Sequence, residues 1–209
     1  VFKKWGRIDV LVNSAGHGPK GEILKITDRE WLISLETYFL NVVRAIRYVT
    51  PIMKKQKSGS IINISTYATF EPEKGFPTSG VIRAGLSSFT KIYSDEYARY
   101  NIRINNILPG FINSLKPKKK FIKRVPLKRS GKVSEISAVV KLLASEDGAY
   151  ITGQNIRVDG GITRSVWKVH NMRKQIKFLN KIFDKPITCL TAYSASIAKL
   201  LDGNIDIIL

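Results

Sequence analysis

Residues 61–86 read IINISTYATFEPEKGFPTSGVIRAGL, from Ile61 to Leu86, and the change of texture along them decides the fold. The stretch opens as an apolar strand, and a near-continuous apolar run suits a parallel strand covered on both faces. A polar loop follows, with Pro72, Gly75 and Pro77 as turn residues. Beyond it Ile82, Leu86, Phe89, Tyr93 and Tyr97 recur every three or four positions, the single apolar face of a helix that runs to about Tyr100. Thr78 or Ser79 stands where a side chain can cap that helix.

The same alternation repeats on either side. Ile8 to Asn13 (IDVLVN) is a short apolar run closed by Ser14-Ala15-Gly16. Thr27-Asp28-Arg29-Glu30 is a capping box, a threonine N-cap with a glutamate three residues on. It predicts a helix from about Asp28 to Lys55, bent near its end by Pro51. Ile102 to Leu108 is another strand, ending at Pro109-Gly110. A helix over Val133 to Ala144 then leads to a last strand, Asn155 to Asp159, closed by Gly160-Gly161. Strands alternating with helices in this order predict a parallel α/β sheet.

Composition narrows the function classes. With 44% hydrophobic residues the 209-residue chain can bury a core. No apolar run approaches the ~20 residues of a membrane span, and no signal peptide opens the chain. One cysteine, Cys189, excludes an intramolecular disulfide and fits a reducing cytoplasm. With only His17 and His170 beside it, a zinc cluster is not expected. The net charge of +19 invites a nucleic-acid partner, but the basic residues are spread and no nucleic-acid-binding signature accompanies them. The densest run, Lys116 to Arg129, holds eight basic side chains and no acid. It reads as a solvated face. The first residue, Val1, falls inside an apparent helix end, as in a fragment.

The motifs together resemble the short-chain dehydrogenase/reductase family, over residues 1 to about 165. The resemblance implies a Rossmann-like doubly wound sheet, truncated at its N-terminus, and hydride transfer between NAD or NADP and a small carbonyl or alcohol substrate. In the family a strand ending Asn-Ile-Ser-Ser precedes a helix carrying Tyr-x-x-x-Lys. Here Thr66 takes the catalytic serine position, Ser79 that of the tyrosine and Arg83 that of the lysine. A phenol can be tuned towards working pH by a neighbouring cation, whereas an aliphatic hydroxyl cannot be lowered comparably. Arg83 keeps charge and donors suited to ribose hydroxyls but does not relay protons as a lysine does. The family's catalytic asparagine corresponds to Tyr38, with Asn41 almost a turn beyond. Tyr38 reads either as an aromatic packed under the neighbouring helix or as a surrogate phenol aimed at Arg83 and Thr66; Tyr67 competes for that second role.

For the cofactor, the resemblance points to Asn13, Ala15 and Gly16 at the end of the first strand. It adds Pro109, Gly110, Ile112 and Ser114, which match the family's Pro-Gly-x-Ile-x-Thr, together with Arg83. His17 reads as a solvent-facing loop histidine or one that faces substrate. The run after Ser114 falls where the family has a mobile substrate lid. The helices over 28–55 and 79–100 are those by which family members form homodimers and homotetramers. The family's glycine-rich phosphate turn has no counterpart here, so an incomplete cofactor site is expected. A non-catalytic NAD(P)-binding relative is the alternative function.

The texture changes after about Val166. Residues 166–184 read as a basic linker and 185–209 as the start of a second unit, with strands around Pro186 to Tyr193 and Ile205 to Leu209 and a short helix over Ser196 to Leu201. Residues 172–209 resemble the beginning of ketopantoate hydroxymethyltransferase through Leu190-Thr191-Ala192-Tyr193. An N-terminal piece of that enzyme joined to a reductase remnant is a further alternative, and so is a βα unit of another kind.

Overall fold

The computed structural model describes residues 2–115, 117–165, 189–190 and 207–208. The chain divides into two compact units, Val1–Arg164 and Ser165–Leu209. In the first, β1 (Val10–Ser14), β2 (Gly59–Ile64), β3 (Ile102–Pro109) and β4 (Asn155–Val158) form one sheet in the order β1-β2-β3-β4. All three pairings are parallel, and a short helix, α1 (Phe2–Trp5), precedes β1. This is the α/β architecture expected from the alternating textures. β1 is the edge of the described sheet, and Val10 and Val12 remain 39% and 45% exposed along it.

Side-chain alternation along β2 separates two core layers. Ile61 packs on one face against Val42, Ile46, Val49 and Met53 of α3 (Asn41–Gln56) and Leu86 and Tyr93 of α4 (Pro77–Tyr97). Ile62 packs on the other face with Ile107 of β3 and Leu143 of α6 (Val133–Ala144). Fully burying each such side chain stabilises the fold by about 1.5–3 kcal/mol. A third, smaller cluster joins Tyr67, Val125 and Ile162, with Phe111 against it.

The capping box forms as expected: the Thr27 hydroxyl accepts from the Glu30 amide, and the Glu30 carboxylate accepts from the Thr27 amide at 2.9 Å. The helix it starts differs from the expected uninterrupted one. α2 (Asp28–Leu35) passes through a π turn, Glu36–Leu40, before continuing as α3. The wider turn resets the helical register, so Tyr38 is buried ahead of the sheet-facing stripe from Val42. The start of α4 is also corrected. It begins at Pro77, whose fixed φ and missing amide suit a first helical position, after Phe76, which offers no side-chain cap. Thr78 instead donates from Oγ1 to the Pro19 carbonyl at 3.0 Å.

One device went unread in the sequence. Asn13, Asn63, Asn106 and Asn155 are register partners across the four strands. Asn13 Nδ2 donates to Asn63 Oδ1 (2.9 Å), Asn63 Nδ2 to Asn106 Oδ1 (2.9 Å) and Asn106 Nδ2 to Asn155 Oδ1 (2.8 Å). The Thr90 hydroxyl of α4 donates to Asn106 Oδ1 at 3.0 Å. Buried amides are costly unless paired, so this ladder favours one register and disfavours a slip.

In the second unit, β5 (Cys189–Leu190) and β6 (Ile207–Ile208) pair in parallel. The expected linker, the helix over 196–201 and His170 lie outside the described residues.

Candidate active site

At the carboxyl ends of β1, β2 and β3 the strands give way to loops around a cavity of about 440 Å³. Open parallel sheets bind ligands in such crevices. Ala15, Gly16, Thr66, Ser79, Arg83, Pro109, Gly110, Ile112 and Ser114 all line it, so the tertiary fold collects residues from four separate motifs. Asn13 and Tyr38 do not. Asn13 spends its side-chain amide on the strand ladder.

Arg83 reaches the cavity from the second turn of α4. Its guanidinium donates to the main-chain carbonyls of Ile64 (2.7 Å) and Ala15 (3.4 Å), tying the ends of β2 and β1 together. Burial pulls it below its ordinary pKa, with Tyr38 opposing the shift, yet an arginine stays charged. The guanidinium carbon sits 4.5 Å from the centre of the Tyr38 ring. The Tyr38 hydroxyl accepts a hydrogen bond from the Gly18 amide, on the loop after β1. Tyr38 therefore packs beneath Arg83 and anchors a loop, with its hydroxyl engaged by the Gly18 amide. Asn41 is exposed on the helix.

Thr66 sits at the turn after β2, where its hydroxyl accepts from the Ala68 amide at 3.4 Å. Beside it the Ser65 hydroxyl also borders the cavity and is buried without a partner. Tyr67 lines the wall, but its hydroxyl donates to Glu73 at 3.2 Å. Burial first, then the Glu73 charge, pushes the Tyr67 phenol well above its ordinary range. His17 stands exposed at the rim. Ser65 was missed at the sequence level, since nothing in the Ser65-Thr66 pair says which hydroxyl a later turn will occupy.

The segment after Ser114 is ordered by aromatic contacts. Phe121 of α5 (Lys119–Ile122) stacks on Phe111 at 5.1 Å, and Phe111 meets Tyr67 edge-on at 5.6 Å. Two of its basic residues are paired, Arg124 with Glu73 and Arg129 with Glu135 (2.6 Å).

Residues 1–163 match the family model described as enoyl-(acyl carrier protein) reductase. The chain belongs to the short-chain dehydrogenase/reductase family. Similar members include the 3-oxoacyl-[acyl-carrier-protein] reductase of Thermotoga maritima, 35% identical over 169 residues, covering 78% of this chain and 69% of the relative. Nodulation protein G of Rhizobium meliloti is 35% identical over 162 residues, 74% and 66% of the two chains. Among solved structures, the NADPH-dependent reductase YwfH of bacilysin biosynthesis superposes with a TM-score of 0.74 at 30% identity, covering 79% of this chain and 70% of that one. A putative oxidoreductase from Escherichia coli K-12 gives 0.73 at 31%, covering 80% and 68%.

The family's nicotinamide cofactor can be tested against these residues. Gly16 has open space where a Cβ would stand, leaving the wall clear for a ligand. Gly110 is different: a Cβ there would lie 2.8 Å from the Asp159 Cα, so this glycine is required by the approach of β4. Open space at Gly16 and the Pro109–Ile112 backbone on the same cavity wall leave room for part of such a cofactor. Among the described residues no glycine-rich strand-to-helix turn offers a diphosphate cradle. Among the described residues no group of side chains could hold a metal and no helix is long and apolar enough to cross a membrane.

Proposed function

We propose that the cavity is the substrate and nicotinamide end of an NAD(P)-dependent oxidoreductase acting on a small carbonyl or alcohol compound. The observation that carries this reading is the convergence of Thr66, Arg83 and the Pro109–Ile112 backbone on one crevice at the strand ends. When bound, the nicotinamide supplies or accepts the hydride. The chain's own residues supply the rest. Thr66 keeps a hydroxyl proton to donate to a substrate oxygen, since its bond to Ala68 uses only an acceptor lone pair. Arg83 braces the ends of β1 and β2 and adds positive charge where an alkoxide develops.

Proton transfer needs a titratable group, and Ser79 is not one. Among the described residues, the titratable side chains on the cavity wall are His17, Tyr67 and Arg83. Tyr67 is held by Glu73 with its proton bound more tightly, and Arg83 does not release one. That leaves His17, a residue type suited to proton exchange near neutral pH. His17 is the proton donor in this reading, at a position the sequence reads first as a solvent-facing loop histidine. The exposed apolar residues Tyr48 (69%) and Ile92 (66%), on α3 and α4, support a homodimer or homotetramer through the long helices.

A second reading is favoured by Ser79 and by the two engaged phenols: a family member that binds the nucleotide and turns nothing over. Incubation with NADH or NADPH and a panel of small ketones, following nicotinamide absorbance, separates the two. Carbonyl-dependent oxidation that falls by about 10²-fold or more in His17→Gln supports the first. Nucleotide binding without turnover supports the second, and turnover left intact in His17→Gln removes His17 from the first.

A further inference from the structure

The cavity contains a positive charge that the Tyr38 ring and two carbonyls meet but no carboxylate balances. Arg83 is 5% exposed and takes part in no ion pair among the described residues. Two of its nitrogens meet carbonyl oxygens, but Nε is buried without a partner. Ser65, 8% exposed and also on the cavity wall, has a buried hydroxyl with no partner. The 21-residue helix α4 opens onto the same space at Ser79, with no side-chain cap and no acid in its first turn. Its free amides and positive end are therefore unanswered there. No aspartate or glutamate lines the cavity among the described residues. Glu73, the carboxylate behind Tyr67, is already paired with Arg124.

We infer that this cavity takes a small carboxylate anion, seated between Arg83, Ser65 and the start of α4, so that its substrate is an oxo acid or hydroxy acid. The inference rests on reading the cavity as the substrate site. A lone buried cation is expensive, and neutral ligands such as a ketone or ribose hydroxyls leave that cost in place. A carboxylate removes it. It is acceptor-only, matching a wall that offers a hydroxyl proton, helix amides and a guanidinium. A phosphate of a nicotinamide nucleotide has the same chemistry, so the test must tell the two sources apart.

Calorimetric titration of the whole protein with acetoacetate, methyl acetoacetate and nicotinamide mononucleotide does so without cofactor or turnover. Acetoacetate should bind at least about tenfold more tightly than its neutral ester, a difference of about 1.4 kcal/mol. Arg83→Met should abolish that preference and Arg83→Lys should keep it. Equal binding of acid and ester, no detectable acid binding, or a preference that survives in Arg83→Met overturns the inference. So does binding of the mononucleotide that excludes acetoacetate and is lost in Arg83→Met, which assigns the charge to the nucleotide phosphate. The acid–ester comparison uses the unaltered protein and does not depend on a variant folding. A protein that prefers the acid but oxidises no cofactor removes only the oxidoreductase reading, and an active one without the preference removes only the carboxylate.

Discussion

The Tyr38 ring lies beneath the Arg83 guanidinium, 4.5 Å from ring centre to guanidinium carbon, while the Tyr38 hydroxyl accepts from the Gly18 amide. One aromatic side chain thus holds both the cation at the cavity wall and the loop at its rim. Tyr38→Phe keeps the ring and deletes the hydroxyl, leaving the Gly18 amide unpaired. It should cost about 1–3 kcal/mol in urea unfolding. Tyr38→Ala removes the packing as well and should cost about 3–5 kcal/mol, judged from aromatic truncations in cores. Equal losses for the two variants would show that the hydroxyl, not the ring, carries the role.

The asparagine ladder makes a sharper prediction. Asn63 is 1% exposed and bonds to Asn13 on one side and Asn106 on the other. Asn63→Leu should destabilise by about 2–5 kcal/mol, because it strands buried groups on both neighbours. Since both residues belong to one network, Asn63→Leu and Asn106→Leu together should cost less than the sum of the two alone. Additive costs in a double-mutant cycle would mean the bonds act independently.

Gly110→Ala separates packing from ligand contact. The added methyl meets the Asp159 backbone at 2.8 Å, and that backbone has no free end to move aside. Stability should fall by about 1–3 kcal/mol with no ligand present. Gly16→Ala faces open space and should leave the thermal midpoint nearly unchanged while weakening any ligand that uses the wall. A stable Gly110→Ala protein would contradict the packing assignment.

An acid-sensitive contact joins the segment after Ser114 to α6. Arg129, first, and the Lys132 amide hold the Glu135 carboxylate down to about 2, against 4.5 for the free side chain. A carboxylate depressed in the folded state stabilises above its unfolded pKa and loses that contribution as pH falls through the folded value. The thermal midpoint of the wild type should therefore exceed that of Glu135→Gln near neutrality. The gap should close as pH drops from about 4.5 towards about 2. Because the pair is exposed the gap will be small, and added salt should narrow it further.

Much of the fold was legible along the chain because its causes are local. The apolar runs at Ile61 and Ile102, the Thr27–Glu30 capping box and the helix from Val133 to Ala144 each depend on residues within a turn or two. Each forms near the predicted place. The candidate site was legible at Thr66, Arg83, Gly16 and Ile112, which family motifs mark and which do line one cavity. It was not legible at Ser65, and at His17 and Tyr38 the sequence left two readings open. Those depend on which side chains are already committed to partners many residues away.

The order of strands and helices, and with it the parallel sheet, follows from apolar periodicity and turn chemistry in the linear chain. Family membership follows from motifs spaced along it. The ladder of Asn13, Asn63, Asn106 and Asn155 does not, because only strand register brings them side by side. The unbalanced charge of Arg83 does not either. An arginine in a sequence is simply a cation, and it becomes an uncompensated one only when folding removes water and brings carbonyls instead of a carboxylate.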